Sequence, residues 1–218
     1  MVTTPQSDIL KAGIAKGDEL LRRIQQMLNG VELKGDHRYR IPAQLFDLSL
    51  DHASGILRLI SVMNYASAFA LVRCEFECFV RGAWLHHRAT DAEIERFIEK
   101  DEIGLKFGDL LEALEKAPPF EDKFLSSVKE KAWTPMNGYT HGGIHQVSRR
   151  LQANYIEPVF EDEAVLEAVQ FAGTMAIIAI GEIATLAGRR DLQDEAQAMM
   201  DSGASVVLPE RPFTPAVA

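Results

Sequence analysis

Cysteine is scarce in this chain: Cys74 and Cys78 are the only two in 218 residues. That scarcity argues against a secreted disulfide framework, and their i, i+4 spacing in an apolar stretch suits small buried residues better than a C-x-x-C redox or zinc motif. Basic residues are in deficit too, with 23 Lys and Arg against 32 Asp and Glu, a formal charge of −9. Broad binding to duplex DNA rests on many cationic contacts to phosphate, so this balance argues against it while leaving room for a local basic patch. The N-terminal MVTTPQSDILKAGIAKGDELL has neither the basic start nor the unbroken apolar run of a secretory signal, so a cytoplasmic location is expected. Residues 168–188, AVQFAGTMAIIAIGEIATLAG, approach the roughly 20 residues that cross a bilayer. Glu182, Gln170, two threonines and three glycines make them a poor lipid-facing helix, so a buried core helix and no membrane contact are expected. A Gly-rich phosphate loop, a repeat period and a series of alternating strands are also missing.

What is there is helical periodicity. Apolar residues recur at three and four residue spacing, which predicts an all-α antiparallel helical bundle, with a single domain over 1–205 and an extended or disordered tail over 206–218. Helix 1 is expected from after Ser7 to Asn29-Gly30, and helix 2 from Pro42 through PAQLFDLSLDHASGILRLISVM. Helix 3, about residues 65–87, is apolar around most of its circumference and therefore central. Thr90 and Glu93 have capping-box spacing for the next short helix. Further helices are expected near 105–116 and 121–132, interrupted by Pro118-Pro119. Thr134-Pro135 reads as the N-cap and first turn of another, and the apolar 162–188 helix and an amphipathic helix over DLQDEAQAMMDSG complete the set.

Two polar groupings stand against this apolar background. Arg73, Glu77 and Arg81 recur every four residues along helix 3, so they lie on one stripe and need partners if that helix is buried. The stripe is a structural ion-pair ladder, the wall of a polar core pocket, or a solvent-exposed row. The second grouping is NGYTHGGIHQVSRR, residues 137–150. On a continuous helix Asn137, His141, His145 and Arg149 share a face, with Tyr139 and Gln146 to the sides. Gly138, Gly142 and Gly143 each cost up to about 1 kcal/mol relative to alanine inside a helix. They imply close approach of another backbone or a ligand, or a local break that re-aims His141. The expected site has His141, Tyr139 and the glycines facing Arg73, Glu77 and Arg81.

LVRCEFECFVRGAWLHHRATDAEIERF together with NGYTHGGIHQVSRR resembles an uncharacterised bacterial helical family with an R-x-x-x-E-x-x-x-R-G-x-W-L core and a downstream Y-T-H-G-G, over roughly residues 45–160. More remotely the layout looks like HEPN-type bundles, which include defence ribonucleases and are often homodimers. That resemblance implies binding of RNA or a nucleotide, a homodimer, and metal-independent cleavage by an arginine and a histidine without a cofactor. His141, Arg73 and Arg81 are then the catalytic candidates, and Glu77, Asn137, Tyr139, His145 and Arg149 the binding ones. The nuclease motif spaces an arginine four to six residues ahead of its histidine, and no arginine precedes His141 or His145 in that window. Arg73 or Arg81 would have to take its place in space, and a degenerate, non-cleaving bundle is an equal reading.

A metal-binding bundle is the competing expectation. Asp51 or His52, Glu77, His141, His145 and Glu182 come from four different helices, and an H-x-x-x-H pair can share one ion. His86-His87-Arg88 closes helix 3, where cationic side chains complement the helix C-terminus. Arg149-Arg150 reads as a solvated face or a phosphate contact.

Overall fold

A computed structural model describes residues 6–33, 35–152 and 154–202. Its helices are α1 (Asp8–Leu28), α2 (His37–Ser61), α3 (Tyr65–His87), α4 (Asp91–Lys100), α5 (Phe107–Leu114), α6 (Phe124–Thr140), α7 (Ile144–Val147), α8 (Asp162–Leu186) and α9 (Arg190–Asp201). The all-α bundle predicted from periodicity is what forms. Added to it is an antiparallel ribbon of β1 (Leu151–Gln152) and β2 (Tyr155–Ile156). The expected tail lies outside the described residues.

Local chemistry sets several helix starts. The Ser7 side chain accepts from the Leu10 amide to open α1, and Thr90 with Glu93 forms a complete capping box at α4. For α2 the expectation was late: Asp36 caps it through the Arg38 amide, so the helix begins five residues ahead of Pro42.

Thr134-Pro135 does not start a helix either. Asp122 Oδ1 accepts from the Phe124 amide at 3.1 Å and Glu115 Oε1 from the Ser126 amide at 2.7 Å. These carboxylates take up orphan amides at the start of α6. The two helices expected around 121–132 and 135–152 are therefore joined through Pro135 into one, which ends at Thr140.

The centre of the bundle is α3. It pairs with α2 across a three-residue turn and also packs on α5, α6 and α8, while α8 is covered in turn by α1, α2 and α9. Phe69, Phe76 and Phe79 are fully buried on α3, and Phe76 meets Phe107 of α5 and Phe171 of α8 at ring-centroid distances of 5.7 and 6.2 Å. Helix α8 is long and apolar enough to pass for a membrane span, yet 67% of its most apolar window is buried inside the bundle. Its apolar surface is spent on the protein's own core, where each buried Leu, Ile, Phe or Met side chain stabilises by about 1.5–3 kcal/mol.

Candidate functional site

The stripe on α3 forms as its spacing predicts. Arg73 Nε donates to Glu77 Oε1 at 2.6 Å, and Arg81 Nη2 to Glu77 Oε2 at 3.5 Å. The network is not sealed in the core: the Arg81 side chain is 43% exposed, and those of Arg73 and Glu77 are about half as open. The stripe lies at the edge where α3 meets α5 and α6. The Arg73 guanidinium carbon sits 5.0 Å from the Trp133 ring centroid, and Trp133 stacks on Phe107 at 4.5 Å with an interplanar angle of 13°. Arg81 borders a cleft of about 140 Å³ with Phe97, Asp101, Phe107 and Leu110.

His141 reaches this edge because α6 stops there. The His141 amide bonds to Asn137 O, Gly142 adopts φ +66°, and the Gly143 amide donates to Gly138 O at 2.7 Å, closing a Schellman-type turn. A Cβ on Gly143 would sit 2.8 Å from Gly138 Cα, so the two backbones touch where a side chain has no room. Gln146 Nε2 ties the loop to α3 by donating to Ala66 O at 2.8 Å. The result places Arg73 Nη1 2.8 Å from His141 Nε2. A guanidinium can only donate, so this contact needs the neutral imidazole with its proton on Nδ1.

The break divides the other candidates. Asn137, His141, His145 and Arg149 share no continuous face, because a turn separates the first pair from the second. His145 folds back over Gly138, with its ring 6.1 Å from that of Tyr139. Tyr139 is buried edge-on against Phe69 at 5.0 Å instead of bordering the polar edge. Burial pushes its phenol above the usual range against the opposing charge and hydrogen bond of Arg149.

Arg149 is only 4% exposed, its guanidinium carbon lying 5.6, 6.0 and 5.4 Å from the rings of Phe69, Tyr139 and Phe160. The structure thus gathers Arg73, Glu77, Arg81 and His141 at one edge, buries Tyr139 and Arg149 against Phe69, and lays His145 beside Tyr139. Cys74 and Cys78 are free and half-buried, and burial pushes the Cys78 thiol up to about 11, which leaves it protonated and a poor nucleophile.

A model described as "Family of unknown function (DUF6988)" matches residues 46–208. The chain belongs to DUF6988. The matched stretch starts inside α2, omits α1 and contains every residue of the polar edge. The likeness to an uncharacterised helical family is thereby borne out, and no curated protein and no solved structure matches the chain.

The metal set expected from Asp51 or His52, Glu77, His141, His145 and Glu182 does not assemble among the described residues. His141 engages Arg73, and Glu182 meets His86 and His87 instead. Those two histidines do not merely cap α3. The sequence presents His86-His87 as a helix end and Glu182 as a carboxylate of a different set, and nothing local links positions 95 and 96 residues apart.

Proposed function

We propose that this member of DUF6988 binds single-stranded RNA or a nucleotide through phosphate at the Arg73–Glu77–Arg81 edge, with His141 as the fourth polar group, and that it does so without cleaving it. The observation that carries this reading is the 2.8 Å approach of Arg73 to His141 beside an open guanidinium at Arg81. Two arginines with a shared carboxylate present planar donors in a fixed orientation, the arrangement that recognises phosphoryl oxygens. The HEPN resemblance points the same way. Trp133 is already occupied by Phe107 and Arg73, so recognition rests on charge and hydrogen bonds more than on base stacking. Cleavage needs a proton acceptor and a proton donor, and His141 has its Nε2 committed to Arg73.

Fluorescence anisotropy with a labelled single-stranded RNA, competed by free nucleotide, tests this. Arg81→Gln is expected to weaken binding about tenfold, in line with the roughly 1.5–3 kcal/mol of a charged hydrogen bond. Affinity is expected to fall with added salt, and the RNA to stay intact. Absence of binding by the unaltered protein, or indifference to both Arg81→Gln and His141→Ala, would overturn the reading.

A second reading concerns assembly, and it supports the homodimer expected from bundle habit. Ile144, Val147, Leu151, Tyr155 and Ile156 are 66, 55, 56, 74 and 86% exposed along one short segment. Among the described residues the ribbon has two strands and no third beside them, and an open strand edge accepts a further strand. We infer an isologous pairing of two such ribbons, one from each copy. Ile156→Lys is expected to convert a dimer into a monomer in light scattering, and a monomeric parent protein would rule the pairing out.

A further inference from the structure

The C-terminal ends of α3 and α8 bring three ligand-type side chains together in a place the polar edge does not use. Glu182 Oε2 lies 2.9 Å from His86 Nδ1 and 2.8 Å from His87 Nε2. One ligand atom from each of the three lies within 4.8 Å of the others, and among the described residues no other group of three metal-ligating side chains does this. Glu182 is the lone acidic residue in the last nineteen positions of α8, and its side chain is 11% exposed; those of His86 and His87 are 18 and 16% exposed.

We propose that His86 Nδ1, His87 Nε2 and a Glu182 carboxylate oxygen bind one divalent transition-metal ion of the zinc class. Zinc is held by imidazole nitrogens at about 2.0–2.1 Å and carboxylate oxygens at about 2.0–2.2 Å, which sets ligand atoms about 3.3 Å apart in a tetrahedron. The observed separations of 2.8 and 2.9 Å must open by about half an ångström, within reach of side-chain rotation. Two neutral imidazoles and one carboxylate compensate half of the ion's charge. The carbonyl ends of two helices add the negative field that favours a cation there. Partial exposure of the histidines leaves the fourth position to water or another exchangeable ligand.

Two features of the packing hold the set in place. His86 and His87 are consecutive, so a regular helix would aim them about 100° apart; their rings nonetheless lie 4.1 Å apart and converge on the same oxygen. His87 is seated edge-on against Phe120 at 5.4 Å.

The test is a titration of the chelator-treated full chain with Zn²⁺ and with Co²⁺, whose visible absorption reports tetrahedral coordination. The expected result is one equivalent per chain and, at free metal about a hundred times Kd, a rise in Tm of about 5–10 °C. Glu182→Gln and the double change His86→Ala/His87→Ala are expected to abolish both. Because those variants can also lose stability, a second protein carries His37→Gln, His52→Gln, His141→Gln and His145→Gln together; it keeps all three ligands and is expected to bind as the parent does. Failure of the parent to take up stoichiometric metal, loss of uptake in the fourfold variant, or uptake that persists without His86 and His87, would overturn the proposal and leave the cluster as a hydrogen-bonded clamp between α3 and α8.

Discussion

Arg149→Ala is expected to lower stability by about 2 kcal/mol or more, the scale of a desolvated cation over aromatic rings, whereas Arg150→Ala is expected to stay within about 0.5 kcal/mol. The two neighbours differ in surroundings alone. Arg149 is enclosed by Phe69, Tyr139 and Phe160, and its carbonyl accepts from the Val159 amide at 2.9 Å, which pins the chain on its way into α8. Truncation would empty that cage of both charge and side-chain volume. Arg150 is exposed. Paired thermal melts measure the difference, and a loss of about 2 kcal/mol corresponds to a fall in Tm of about 4–8 °C for a chain of this size. Equal melts would mean that the Arg149 cage contributes nothing.

Glu75→Met is expected to act in the opposite direction and stabilise the fold. Glu75 is completely buried on α3, and neither carboxylate oxygen has a hydrogen-bond partner among the described residues. A buried polar group left unsatisfied costs about 1–3 kcal/mol, so an apolar side chain of similar length should raise stability by about that amount. Burial also pushes the Glu75 carboxyl well above the ordinary value of 4.5. The unfolded chain releases this proton near 4.5 and the folded chain only at higher pH, so the folded state holds the extra proton between the two. Its contribution to stability is then fully present below 4.5 and is lost as pH rises toward the folded value. Denaturant melts from pH 4 upward check both parts: the parent should lose stability across that window, and Glu75→Met should remove this component of the slope. A variant less stable than the parent at neutral pH would show instead that Glu75 is satisfied by water or a ligand.

His141 and Arg73 illustrate what reading the chain could and could not reach. The glycines around His141 announced a break or a close approach, and both occur, at Gly142 and between Gly138 and Gly143. The direction in which the break would aim the side chains was not legible, because a turn with one residue at positive φ sends the following segment wherever tertiary contacts such as Gln146 to Ala66 hold it. Tyr139, His145 and Arg149 were grouped with Arg73 on the assumption of an unbroken helix, and a single turn parted them. Pro135 misled for a similar reason: its fit to a first turn is local, but Asp122 and Glu115 accept from the amides of Phe124 and Ser126, two and eleven residues further along the chain, and start the helix there.

The sequence by itself determined the all-α class, the central position of α3, the burial of α8 and the Arg73–Glu77–Arg81 stripe, because each follows from a period of three or four residues within one helix. Only the tertiary structure decided that His141 meets Arg73, that Arg149 belongs to the core while Arg150 does not, and that His86 and His87 converge on Glu182. Those pairings depend on how helices distant in the chain settle against one another, and the packing of apolar side chains that settles them leaves no periodic trace among the polar residues it brings together.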